Sequence, residues 1–363
     1  MSLAIGSYEK LGALSDGTGL LNLAWTQDER EQLGADVMRL VADELAAELA
    51  EGLPYIGGYL VKDPYGEGVL GPAVAEFFGR PDWDASVTCG AGVGPLLHGL
   101  SRLAAGGTVE VVTDVYPDYP HWAALAGARC VPYGHGHRGS VLLLERPALT
   151  DDRFTALEEV RKLCAEAARR DAVVLVDESN ANYCPPGYSA ANLVTETSNL
   201  LVVRGLSKAY GLGGVRLGYC VASAALAGIV RGAVPPLQPS SLSLRVGRRV
   251  LGLGDVTGGL RRRIAANKPY VRDLLAAGCA PSAVAAAGHL PYVLVPDGPR
   301  DALERLASLG VQGKLHPTWS TGSGGLTATG RLSVPLADER LTELAGRLGG
   351  PPPASGPAAP AAE

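Results

Sequence analysis

Residues 204–219 read RGLSKAYGLGGVRLGY, and the run VVLVDE at 173–178 lies about thirty positions upstream. The upstream run is continuously apolar and ends in an acid, Asp177, which is the pattern of a strand buried on both faces. A second apolar run, LLVV at 200–203, leads into a turn that carries Lys208. Arg216 follows eight positions later, after a glycine-rich stretch. Singly, each residue has an ordinary explanation. An acid at a strand end caps a turn, a loop lysine is solvated, and glycines alone make a weak motif. GLGGVRLG also comes too late in the chain for a dinucleotide fingerprint, and no acid stands at the required distance on a following strand. In this order and spacing, the three charged groups ask for one common purpose.

A carbonyl cofactor with a pyridine ring and a phosphate supplies that purpose. It needs an amine to form a Schiff base, a carboxylate at the ring nitrogen and a cation at the phosphate. The segment resembles the signature of the fold-type I, pyridoxal-phosphate-dependent enzymes of the class I and II aminotransferase superfamily. Within it, the segment is most similar to the histidinol-phosphate aminotransferase branch. The resemblance implies an α/β fold, with a large domain built on a mostly parallel sheet and a smaller α/β domain. It implies pyridoxal 5'-phosphate as cofactor, with Lys208 as the Schiff-base lysine, Asp177 as pyridinium partner, and Ser207 and Arg216 at the phosphate. Lys208 has few rivals, because the chain holds only six lysines. Lys62, Lys162, Lys268 and Lys314 sit in polar surroundings and are expected at the surface, and Lys10 is near the N-terminus.

The surrounding sequence alternates strand and helix patterns. VEVVTD (109–114), VLLLER (141–146), VVLVDE, LLVVRG (200–205) and GYCVAS (218–223) read as buried strands. Helical spacing marks 27–51, 69–79 and 154–170. Such alternation argues α/β, with ligands at the C-terminal ends of the strands, where Asp177 falls. From about residue 246 the composition shifts to Arg- and Ala-rich helices, with LPYVLVP (290–296) and RLSVPL (331–336) as strands. The expected organisation is an N-terminal segment of the small domain at 1–50, a large cofactor domain at 51–245 and the small domain at 246–350. A Pro/Ala-rich disordered tail is expected at 351–363.

SVTCGAGVGPLLHGL (86–100) runs from a short strand through Gly-Ala-Gly into an apolar helix, whose N-terminus suits a phosphate. The resemblance makes Gly90, Ala91 and Gly92 that cradle. It places Tyr116 of DVYPDYPHW on the cofactor ring by stacking, with Tyr119 as second candidate. Tyr65 of KDPYGEG matches a tyrosine that reaches the phosphate of a partner subunit, which implies an obligate homodimer. Arg331 of GRLSVPL matches the arginine that clamps the substrate carboxylate, and Trp25 is assigned to the substrate side with it.

Three departures stand out. The family's NPTG loop, whose asparagine bonds the cofactor's phenolic oxygen, is replaced by ERPALTDD (145–152). The aromatic residue expected three positions after the strand acid is Asn180, so Asn180, Asn182 or Tyr183 would have to supply the lost hydrogen bond. The hydroxyl residue expected three positions before the lysine is Gly205. These changes touch the groups that tune the Schiff base, so transamination has a rival. The rival is a lyase, decarboxylase, elimination or replacement enzyme, or C–C bond-forming enzyme of specialised metabolism. A non-catalytic cofactor-binding sensor is a further alternative, although no DNA-binding module accompanies the pattern.

Composition agrees with an enzyme of small molecules. The 363 residues are 47% hydrophobic and 19% charged, enough for a sizeable core. A formal charge of −5 without a basic run offers nothing to nucleic acid, and no apolar run reaches membrane-spanning length. Six scattered cysteines, without CxxC or a histidine at ligand spacing, read as thiols of a reducing compartment, the cytoplasm by default. No metal is expected; the expected partners are an amino-acid substrate and a second copy of the chain.

Overall fold

The structure is a computed structural model that describes residues 19–54, 56–59, 61–150, 153–351 and 353. The chain forms two compact units. The larger takes Leu33–Leu260 and Thr318–Thr327; the smaller takes the described residues up to Gln32, Arg261–Pro317, and those from Ala328 on.

In the larger unit, helices α1 (Val37–Ala50) and α2 (Glu67–Phe77) precede the first strand. Strand β1 (Ala85–Gly90) leads into α3 (Val93–Leu100), and β2 (Thr108–Val111) leads to α4 (Asp118–Leu125). Then come β3 (Arg129–Pro132), β4 (Val141–Glu145), α5 (Leu157–Ala168), β5 (Val173–Asp177), β6 (Leu200–Gly205) and β7 (Gly218–Ser223). Helices α6 (Ala227–Ala233) and α7 (Ser241–Leu251) complete it. The seven strands form one sheet in the order β1-β7-β6-β5-β4-β2-β3. Only β7 pairs antiparallel with its neighbours; the remaining pairs are parallel.

The sheet is buried on both faces, as the continuous apolar runs require. Along β5, Val174 and Val176 join one core layer and Leu175 joins the other. Strand β6 repeats this, with Leu200 and Val202 on the first side and Leu201 and Val203 on the second. Helix α5 covers the first layer with Val160, Leu163, Cys164 and Ala167, at helical spacing. Glu158 and Glu159 in its first turn suit the positive end of the helix dipole. The expected strands therefore stand, 200–205 and 218–223 with their bounds unchanged and the others with shifted ends, and β3 is an addition that its sequence did not announce.

The divisions between units fall at 32/33 and 260/261, not near 50 and 245. Helix α1, expected with the small domain, packs on α7 instead. Arg245 of α7 meets Glu44 of α1 at 2.6 Å, and Arg249 meets the same carboxylate at 2.9 Å. Helix α8 (Gly258–Gly278) crosses the boundary; in the smaller unit it continues to the two-residue strand β8 (Val284–Ala285), β9 (Tyr292–Val295), α9 (Pro299–Ser308) and a long hairpin. Its arms are β10 (Lys314–Ser320) and β11 (Gly325–Ser333), followed by α10 (Asp338–Leu348). The hairpin tip, Thr318–Thr327, counts with the larger unit.

Lys268 corrects an expectation. It is buried, with its ammonium donating to the carbonyls of Ala286, Gly288 and Leu290 at 2.9, 2.6 and 3.1 Å. Three backbone acceptors satisfy one charge, which polar neighbours in sequence did not reveal. Lys62 and Lys162 are exposed as expected, Lys314 is half-buried, and Lys10 lies outside the described residues. The tail is outside them too, apart from Pro351 and Pro353.

Candidate active site

Asp177 closes β5, and Lys208 stands in the turn after the adjacent strand β6. The Asp177 Oδ1 accepts from the Ser179 N–H at 2.9 Å and the Ser179 hydroxyl at 2.5 Å. No hydrogen bond among the described residues occupies Oδ2. Some surface of the residue stays accessible, yet the carboxyl is desolvated. That burial pushes it above the usual aspartate range, against the pull of the Ser179 bonds and the Lys208 charge. A cationic N–H at Oδ2 would relieve the penalty.

The lysine turn is held under local strain. Ala209, next to Lys208, has φ +64°, a conformation that costs a residue with a Cβ roughly 1–3 kcal/mol. The Tyr210 N–H donates to the Lys208 carbonyl at 2.8 Å, and the Leu212 N–H to the Leu206 carbonyl at 3.2 Å. Lys208 is half-buried, and among the described residues its amine has no hydrogen-bond partner. The backbone is fixed while the amine stays available.

Residues far apart in sequence converge at the end of β1. Gly92 has φ +104°, and a Cβ there would lie 2.7 Å from Arg216 Nη2. The same guanidinium donates to the Ala91 carbonyl at 3.0 Å and to the Gly213 carbonyl at 3.0 Å. Across from it, Gly218 opens β7, where a Cβ would lie 2.5 Å from the Gly92 carbonyl carbon. Gly90, Ala91 and Gly92, the α3 N-terminus and Arg216 thus form a cradle that a side chain would fill. Ser207 is exposed in the lysine turn beside Gly213, the residue whose carbonyl binds Arg216. Gln238, which sequence reasoning missed, takes the Ala91 N–H on its Oε1 at 3.3 Å. Its signal is absent from the sequence because it reaches the cradle across 147 positions.

Tyr116 follows β2, half-buried, and its N–H donates to Glu145 Oε2 at 2.8 Å. The hairpin tip braces this segment: Trp319 pairs with Val115, and Thr321 donates twice to Asp114 at 2.7 and 2.9 Å. Tyr119, the second stacking candidate, is instead fully committed to the core, its hydroxyl on the Leu100 carbonyl at 3.3 Å. Asp118 beside it has its carboxyl pushed up by burial, opposed by His121 and reinforced by Asp177. That acid was not anticipated.

Behind the strand ends lies a buried ionic cluster. Glu178 receives Arg146 at 3.2 Å, Arg204 at 2.5 Å, the Ser189 hydroxyl at 2.5 Å and the Ala190 N–H at 2.7 Å. Arg204 also donates to Asn182 Oδ1 at 2.7 Å, and Asn182 Nδ2 donates to the Gly205 carbonyl at 2.6 Å. Asn182 therefore has both ends of its amide spent, and Tyr183 is fully buried. Asn180, also buried, keeps its Oδ1 without a partner among the described residues.

Tyr65 is half-buried against β1. Its carbonyl takes the Cys89 N–H at 2.8 Å, and its hydroxyl donates to the Arg231 carbonyl at 3.1 Å. In the smaller unit, Arg331 is buried on β11, 4.2 Å from the Tyr292 ring centroid. Its Nη2 reaches the Ala24 carbonyl at only 3.4 Å and its Nε has no partner among the described residues, while Trp25 next to Ala24 is half-buried. A buried guanidinium this poorly matched calls for an anion.

The sequence profile of the family described as Aminotransferase class I and II matches residues 151–348, more than half of the chain. The chain belongs to this family. Members of the class I and II aminotransferases use pyridoxal phosphate, and the residues above fit it: an available amine, a desolvated carboxylate with one open oxygen, and a glycine cradle beside an arginine. A histidinol-phosphate aminotransferase of Psychrobacter arcticus is 30% identical over 250 residues, 62% of this chain and 64% of that relative's length. Among solved structures, an aspartate aminotransferase from Rhizobium meliloti superposes with a TM-score of 0.69 at 17% identity, covering 96% of each chain. An L-threonine-O-3-phosphate decarboxylase from Porphyromonas gingivalis gives 0.67 at 15%, covering 89% of this chain and 96% of the other. At these identities the likeness establishes the fold, type I, which aminotransferases and a decarboxylase share. No metal-binding group of three or more His, Cys, Asp or Glu occurs among the described residues, and no described helix is long and apolar enough to cross a membrane.

Proposed function

We propose that this chain is a pyridoxal-phosphate-dependent enzyme acting on an amino acid or amino-acid-like substrate, with transamination as its reaction. The observation that carries the reading is the convergence, within one unit, of the Lys208 amine, the open Asp177 oxygen and the Gly92–Arg216 cradle. When bound, the cofactor supplies an electron sink for charge developing at the substrate Cα. Asp177 holds the proton on the ring nitrogen, an arrangement its raised affinity for positive charge favours. Lys208 would attach the cofactor and would move the proton at the substrate Cα. Ser207, Arg216 and the α3 amides would hold the phosphate and Tyr116 would stack on the ring; within the smaller unit, the Arg331 fork, with Trp25 near it, suits a substrate carboxylate. Incubation with an amino acid donor should convert the bound cofactor stoichiometrically to its amine form, and a keto acid should reverse it. Product formed without a keto acid, and without the amine form, would replace transamination by the decarboxylase or lyase reading. The altered ERPALTDD and Asn180 positions are what keep that second reading in play.

We also infer a homodimer in the cytoplasm. Leu49, Ile56, Tyr59 and Val61 are 69%, 59%, 88% and 71% exposed, an apolar surface that runs directly into the Tyr65 segment. A second copy covers it in this reading and brings Tyr65 toward the neighbouring phosphate. Sedimentation should give a dimer that Leu49→Glu with Val61→Glu converts to monomer; a wild-type monomer with full cofactor occupancy would end the proposal. Six cysteines without a disulfide among them support the reducing compartment.

A further inference from the structure

The link from β2 to α4 passes through Tyr116, and strand β4 holds its first part. The Val112 N–H donates to the Leu143 carbonyl at 2.8 Å, and the Thr113 hydroxyl exchanges hydrogen bonds with the Glu145 backbone at 3.0 and 3.2 Å. The next part is held from the far end of the chain. Val115 and Trp319 form an antiparallel bridge, the Trp319 N–H donating to the Val115 carbonyl at 2.9 Å and the Val115 N–H to the Trp319 carbonyl at 3.2 Å. Close beside it, Asp114 Oδ1 accepts the Thr321 N–H and hydroxyl at 2.7 and 2.9 Å, a clip that keeps the bridge in register. Trp319 is buried in the same core layer as Val115 and Tyr119, so the hairpin tip is rooted there. Residues Thr318–Thr327 count with the larger unit, which makes these contacts internal to it.

One peptide plane is decisive. The Val115 carbonyl and the Tyr116 N–H belong to the same planar unit. Trp319 holds its carbonyl end at 2.9 Å, and Glu145 Oε2 holds its N–H end at 2.8 Å. The plane cannot turn without breaking one of the two bonds. On the other side of Tyr116 stands Pro117, and a residue before proline is confined to extended backbone. The direction in which the Tyr116 side chain leaves the backbone is thus set from both sides. Offset stacking needs the phenol plane to lie along its partner ring, so that direction matters. We propose that the hairpin tip, through the Trp319 bridge and the Thr321–Asp114 clip, sets the angle at which Tyr116 meets the cofactor ring, an inference that rests on the cofactor reading above. Trp319, Thr321 and Asp114 are positioning residues that act through the Tyr116 backbone.

Circular dichroism of the visible cofactor band, on the reconstituted protein without substrate, reads ring orientation apart from turnover, and dialysis measures cofactor loss beside it. Tyr116→Leu sets the scale, with several-fold lower ellipticity per unit absorbance and several-fold faster cofactor loss. Asp114→Ala should reproduce most of both changes. Asp114→Asn, which keeps Oδ1 as an acceptor, should stay at wild-type values. Thr321→Val, which loses the hydroxyl but keeps the N–H, should fall between them, and it carries the test should Asp114→Ala fail to fold. Wild-type dichroism in the folded clip variants, beside an altered Tyr116→Leu, would overturn the inference. So would equal losses in Asp114→Asn and Asp114→Ala, since the acceptor would then be irrelevant. An unchanged Tyr116→Leu sinks the stacking role of Tyr116, and a wild type that takes up no cofactor sinks the cofactor reading itself.

Discussion

Asp177 and Glu178 are consecutive, and strand alternation sends them to opposite sides of the same strand end. On one side Glu178 is fully buried between two buried arginines, and four donors saturate it. On the other side Asp177 has one oxygen held by a local serine and the other open, beside a lysine without a partner and an asparagine with an orphaned acceptor. Glu178 is saturated without any ligand, although Arg204 Nε beside it has no partner among the described residues. Asp177 keeps one oxygen open. The contrast is between a glutamate whose acceptors are all used and an aspartate that keeps one free for the cofactor proposed above.

Three experiments press on that contrast, the largest effect first. Lys208→Ala should abolish turnover and leave no lysine labelled after borohydride reduction, because attachment and proton transfer both depend on that amine. A label on another lysine, read by peptide mapping, would move the site. Glu178→Gln should leave two buried guanidinium groups short of counter-charge and lower the unfolding free energy by about 3–5 kcal/mol. Urea denaturation of the cofactor-free protein measures this, and a loss under about 1 kcal/mol would mean that the cluster is not the anchor drawn here.

Asp177→Asn should do the reverse on a smaller scale. The raised Asp177 affinity for its proton means that the folded chain binds that proton more tightly than the unfolded chain does. Its contribution is therefore full at acid pH and lost as pH rises from the usual aspartate range through the raised value. At neutral pH the cofactor-free variant should melt above the wild type, and its advantage should vanish in acid. The same variant should keep the cofactor yet lose turnover by orders of magnitude. A lower melting temperature at neutral pH would show that Asp177 is as well satisfied as Glu178, and the contrast would fail.

Much of this was legible along the chain because it rests on short-range pattern. VVLVDE and LLVVRG announce strands buried on both faces, and their order with Lys208 and Arg216 announces a cofactor site at the strand ends. The asparagines were not separable in this way. Asn180 and Asn182 differ by two positions, but one is spent on Arg204 and the Gly205 carbonyl while the other keeps a bare oxygen. Tyr116 and Tyr119 read alike in DVYPDYPHW, until helix α4 turns Tyr119 into the core.

What the sequence determined by itself is the class of fold, and it named the lysine, acid and arginine proposed for the site. Strand and turn propensities act over a few residues, and a single scarce lysine in a glycine-rich turn leaves little choice. What tertiary structure alone decided is the satisfaction of each polar group. Whether an amide or ammonium is saturated depends on partners brought in from distant strands: Gln238 at the Ala91 N–H, Arg204 at Asn182, three carbonyls at Lys268. Hydrogen bonds are short and directional, so sequence separation says nothing about them until the sheet has set which strand ends are neighbours.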